Sequence, residues 1–151
     1  MFDFFCLLVY NVCVNEEIQM KEQFAKDLIY TKILTDRLSE GKAENSGLFT
    51  VKYQILYIIK KNGKTSPKLL IKELVLAKSN LALIASDMIS QGLIEKGKDE
   101  HNKKEIFYTI TEKGNEMLTE KMKSIENLEI EDVGEACILL EKLNNLLQKI
   151  H

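Results

Sequence analysis

The chain of 151 residues contains one proline, and its neighbour fixes what it does. Pro67 directly follows Ser66. A hydroxyl acceptor with proline next to it starts a helix: the oxygen caps a free N–H and the ring presets φ. A short helix begins there, with Leu69, Leu70 and Leu74 on its apolar side. A turn near Leu76-Ala77 leads to a second helix from about Lys78 to a stop at Gly92. Its spacing turns Leu81, Ile84, Ala85 and Met88 inward. Ser79, Ala82, Leu83, Ser86, Asp87 and Ser90 face outward or sit on the boundary. A strand from Leu93 to Lys96 follows, and the stretch from Glu95 to Glu105 holds no apolar side chain. The next strand, Ile106 to Ile110, alternates Ile106, Tyr108 and Ile110 with Phe107 and Thr109, as a half-buried strand does.

Helices flank this centre. Phe24, Leu28, Ile29, Ile33, Leu34 and Leu38 recur at helical spacing from about Ile18, with Gly41 as a stop. After the polar loop "GKAENSG", Thr50 caps a helix carrying Val51, Ile55, Leu56, Ile58 and Ile59, which ends at Asn62-Gly63. Thr111 opens a helix through Met117, Leu118 and Met122 to about Asn127. A last helix carries Ile130, Val133, Cys137, Leu140, Leu147 and Ile150. The apolar stripes of the first and last helices are buried either internally or against a second copy.

The order is four helices, a hairpin and two helices. The fold class is mainly α with a small β-hairpin wing (α+β), a winged helix-turn-helix whose second short helix enters a groove of DNA. The expected segments are an apolar extension over 1–17, a helix and loop over 18–48, the winged helix-turn-helix over 49–113 and two helices over 114–151.

Charge is divided unevenly. The whole chain has a net charge of −2, yet residues 60–113 carry 11 lysines against 7 acidic side chains between two acidic flanks. Such an island suggests a local anionic partner, against the plainer reading of a solvated face. Three widely spaced cysteines, Cys6, Cys13 and Cys137, fit neither a zinc site nor a disulfide scaffold and place the chain in a reducing cytoplasm. "MFDFFCLLVYNVCV" is too short to span a membrane, which takes roughly 20 apolar residues, and Asp3 stands where a signal peptide is basic. It reads as a short helix or strand covered by a partner surface, or else Met20 is the natural start and residues 1–19 lie outside the natural protein. No membrane is expected as a partner.

The stretch from Leu69 to Gly114 carries a resemblance to the MarR-type bacterial transcription regulators, which in pattern runs from roughly Thr50 to the C-terminus and in element order from Ile18. Gly92-Leu93-Ile94, Asp99, Asn102-Lys103-Lys104 and Thr111-Glu112-Lys113-Gly114 fall in step, without a gap, with that family's "GLI" step, D-x-x-D-R-R wing and "TEKG" step. The resemblance implies a homodimer with intertwined first and last helices, two recognition helices on a pseudo-palindromic operator, and release by a small aromatic effector. The departures are lysines in place of the wing arginines, and Ala82 and Leu83 where the family presents a polar residue and an arginine.

The DNA-binding set read from these elements is Thr65, Ser66, Lys78, Ser79, Asn80, Ala82, Leu83, Ser86, Lys98, Asn102, Lys103 and Lys104. Lysine and hydroxyl groups meet phosphate, whereas Ala82 and Leu83 offer only apolar contact with thymine methyls. Tyr30, Tyr53 and Tyr57, with Tyr10, are candidates to line an effector crevice, against plain core. Cys6 and Cys13 are candidate redox residues; in a helix their Cα atoms would lie roughly 10 Å apart, too far for a mutual disulfide. Such a regulator could sense thiol oxidation, although nothing beside either cysteine lowers its pKa. His101 on the wing tip reads as solvated or phosphate-touching. No catalytic residues, cofactor or metal site are expected, because no nucleophile–base pair or ligand cluster occurs. The function expected is therefore a dimeric regulator that binds double-stranded DNA; the alternative is a winged-helix protein-interaction module with weak or no DNA binding.

Overall fold

The computed structural model describes residues 2–39, 50–98, 105–123 and 131–150, and in the first of these the side chains of residues 14–37. Its elements run α1 (Phe2–Ser39), α2 (Val51–Asn62), α3 (Pro67–Leu74), α4 (Lys78–Ser90), β1 (Ile94–Lys98), β2 (Ile106–Ile110), α5 (Glu112–Lys123) and α6 (Val133–Leu147). Two compact units divide the chain within α2, Met1–Ile55 and Leu56–His151.

The first unit is dominated by α1, one helix of 38 residues rather than a helix from Ile18 behind a separate extension. Residues 2–14 are apolar on almost every side, so they give no amphipathic period from which a helix can be read. Among its described side chains, Glu17–Lys21, Glu22–Lys26 and Lys32–Asp36 form ion pairs at i,i+4 spacing. Lys21 also holds the Glu17 carboxyl below the usual range, through its hydrogen bond and charge.

The second unit gathers its core from every element of the centre. Leu56 and Ile59 of α2, Leu70 of α3, Leu81, Ala85 and Met88 of α4, Leu93, Ile94, Tyr108 and Leu118 are buried. Ile84, expected inward, is half-buried. Burial also raises the Tyr108 pKa, which keeps the phenol neutral. β1 and β2 pair antiparallel with Ile94 opposite Ile110 and Lys98 opposite Ile106. Thr65 extends this sheet by a bridge: its N–H donates to the Tyr108 carbonyl at 3.0 Å, and its carbonyl accepts from Tyr108 N–H at 2.8 Å.

Two sequence steps act as a clasp. Gly92 adopts φ +70°, and its N–H donates to Ile89 O while that of Leu93 donates to Met88 O. This 5→2 and 6→1 pair ends α4 in a Schellman motif. Leu93 therefore belongs to the helix terminus, and the strand starts one residue later than its apolar character suggests. Thr111 closes the clasp from the other side. Its hydroxyl donates to Gly92 O at 2.7 Å and lies 3.0 Å from Leu93 O, its N–H donates to Leu93 O, and its oxygen accepts from Gly114 N–H to cap α5. Lys113 adds a bond to Gln91 O at 2.8 Å. Gly114 has no room for a side chain: a Cβ there would overlap the Leu93 carbonyl.

Ser66 accepts from Leu69 N–H at 3.2 Å and caps α3, as the Ser66-Pro67 pair requires. The helix ends on Val75, whose φ of +51° is left-handed. A β-branched side chain is strained in that region, and Val75, 89% exposed, recovers nothing by packing. Val75→Gly is accordingly expected to raise stability by about 1 kcal/mol, the relieved strain outweighing the added unfolded-state entropy. A chemical-denaturation midpoint that falls instead would show that the turn carries no strain.

Candidate nucleic-acid interface

α4 separates its side chains cleanly. Leu81, Ala85 and Met88 are buried, while Lys78, Ser79, Asn80, Ala82, Leu83 and Ser86 are exposed. Asp87 is exposed as well, and its carboxylate accepts from Gln91 Nε2 at 2.8 Å. Between α3, α4 and the hairpin lies an open hollow of about 840 Å³. Pro67, Ile71, Leu81, Ala82, Ile106 and Tyr108 line it, with Lys68, Lys78 and Lys96 against the single carboxylate of Glu105. A second hollow of about 810 Å³ has the opposite balance, Glu95, Glu112 and Glu116 against Lys96 and Lys113. The α3–α4 side therefore carries the balance of charge that favours an anionic polymer.

Lys64 and Phe107 build a further cationic position. On the hairpin Gly97 faces Phe107, and the ring lies so close over it that a Cβ on Gly97 would meet ring carbons at 2.5 and 2.6 Å. The Lys64 ammonium sits 4.7 Å from the centroid of the same ring, a cation–π contact.

Residues 48–114 match the family model described as winged helix DNA-binding domain. The transcriptional regulator BldR from Sulfolobus solfataricus is 25% identical, with a TM-score of 0.62 over 91% of this chain and 98% of that one. A MarR family protein from Bacillus stearothermophilus is 18% identical, with a TM-score of 0.63 over 87% and 96%. The chain has the MarR-type winged-helix fold. BpsR from Bordetella bronchiseptica, whose DNA binding is regulated by 6-hydroxynicotinic acid, is 15% identical, with a TM-score of 0.57 over 81% and 98%. No curated protein matches the sequence.

Within this winged-helix frame the candidate residues divide. Ser66 at the cap of α3, Lys78, Ser79, Asn80, Ala82, Leu83 and Ser86 on α4 and Lys98 on β1 are exposed. Thr65 is not available to DNA. It is fully buried because its bridge to Tyr108 turns the side chain into the core. Asn102, Lys103 and Lys104, with His101, lie outside the described residues, as do the side chains of Tyr10, Cys6 and Cys13. Tyr30 and Tyr57 are exposed, and Tyr53 is buried. The structure adds exposed Lys64, Lys68 and Lys96 as further candidates. The signal for Lys64 was present, since a glycine facing an aromatic residue across a hairpin leaves a ring face for a cation to cover.

Among the described residues, no group of three or more His, Cys, Asp and Glu could hold a metal, and no helix is long and apolar enough to cross a membrane.

Proposed function

We propose that the protein is a dimeric, DNA-binding transcription regulator that sets α4 and a lysine-rich wing on a pseudo-palindromic operator. The surface of α4 carries this reading: a helix with a buried inner face and an exposed outer face of Lys78, Ser79, Asn80, Ala82, Leu83 and Ser86, beside a hollow holding three lysines against one glutamate. Lys78 and Lys98, with Lys103 and Lys104 of the wing, neutralise phosphates, while Ser66, Ser79 and Ser86 offer hydroxyl donors to the backbone. The same lysines favour DNA over a protein partner, because a protein-docking face is depleted of lysine at its centre. A selection of duplexes from a randomised pool tests the proposal, with an inverted repeat expected and an unenriched pool contradicting it.

The dimer has its own support. α6 has no buried residue, and Val133, Ile138, Leu139, Leu140, Leu146 and Leu147 are all exposed on it. On α1 the same holds for Ile18, Met20, Phe24, Ile29, Tyr30, Ile33 and Leu34. A helix of 15 residues is marginal alone in water, and one apolar on several sides belongs in a core. A second copy supplies that cover in this reading. Light scattering behind a sizing column should give twice the mass of one chain, and a monomeric mass at micromolar concentration would contradict the dimer.

A small aromatic effector that releases the DNA is part of the proposal, with Tyr30, Tyr53 and Tyr57 as its candidate contacts. Its support is the BpsR relative, whose DNA binding responds to 6-hydroxynicotinic acid. Thiol sensing through Cys6 and Cys13 is the weaker variant and draws only on their place in α1.

A further inference from the structure

The outer face of α4 has an unusual chemistry for a surface that meets DNA. Leu83 is 72% exposed, next to exposed Ala82 and among Ser79, Asn80 and Ser86. The core does not require it, since Leu81, Ala85 and Met88 already fill the inner face. Lys78, the first residue, is the sole cation of this helix, which has no arginine. Asp87 is held by Gln91 and offers only acceptors.

Each base pair would respond differently to such a face. Guanine presents the N7 and O6 acceptors and is read by a cationic donor, which α4 lacks after its first residue. A leucine set against a G·C pair strips water from polar atoms and returns no hydrogen bond. Thymine instead presents a C5-methyl group, and covering it removes apolar surface from water on both sides. Asn80 lies three residues before Leu83 and so shares its stripe of the helix. Its side-chain amide has the donor and acceptor that adenine N7 and N6 require.

We propose that Leu83 is the specificity-determining residue of α4, reading the thymine methyl group in the major groove, with Asn80 directed to adenine. This rests on the DNA-binding reading above and deepens it.

The test compares an A·T-rich duplex with the same duplex carrying deoxyuridine at every thymine, which removes only the methyl groups. The full chain and Leu83→Ala are titrated against both; at an exposed position the substitution leaves the core intact. The wild-type chain should prefer the thymine duplex by roughly fourfold for each methyl covered. Leu83→Ala should lose that preference and bind the two duplexes with equal affinity. Equal wild-type affinity for the two duplexes, or a preference that survives in Leu83→Ala, would overturn the inference. Binding to neither duplex at low salt is a different result and removes the DNA-binding reading itself.

Discussion

Gly114→Ala should destabilise the protein by about 3 kcal/mol or more, because the new methyl group strikes backbone rather than a movable side chain. The Leu93 carbonyl it would overlap already accepts from Thr111, and Leu93 also ends α4. Relief would have to come from shifting α5 away from the start of β1. That movement breaks the Thr111 cap, which holds Gly114 N–H at 3.0 Å. For a chain of this size such a loss lowers the thermal midpoint by roughly 6–12 °C. Circular dichroism would detect it, and an unchanged midpoint would mean that the clasp is loose. The effect on DNA affinity should follow indirectly, since the clasp fixes the hairpin against the end of α4.

The second large effect belongs to charge. Lys78 opens α4 and Lys98 ends β1, both exposed. Reversing both, as Lys78→Glu with Lys98→Glu, replaces two phosphate attractions per chain by two repulsions. DNA affinity at low salt should fall by on the order of a hundredfold, and the salt slope should flatten by about 0.9 for each phosphate no longer neutralised. Folding should be unaffected, because neither lysine enters the core. Retained affinity would exclude the α4–hairpin side as the DNA surface and put the contact with the duplex elsewhere on the protein.

Local signals with a direct steric or hydrogen-bonding cause were legible in the sequence. Ser66-Pro67 starts α3 at Pro67, Gly92 stops α4, and the alternation from Ile106 to Ile110 is β2 to the residue. The failures have equally specific causes. Leu93 looks like a strand residue because it is apolar and buried, but its N–H closes the α4 terminus. Thr65 looks like a surface hydroxyl beside Ser66, yet a single bridge to Tyr108 sends it inward, and pairing across 43 positions leaves no mark on local composition. The extent of α1 was hidden because its first residues are apolar all round. The outward position of Leu83 was readable from spacing alone, and its 72% exposure makes it a surface residue in need of a function.

Fluorescence anisotropy shows whether the α4–hairpin side binds duplex DNA. The purified chain is titrated into a labelled A·T-rich duplex and a scrambled control at two salt concentrations. Micromolar or tighter binding that weakens steeply as salt rises is expected, with the A·T-rich duplex held more tightly. A folded protein that binds neither duplex at low salt would contradict it.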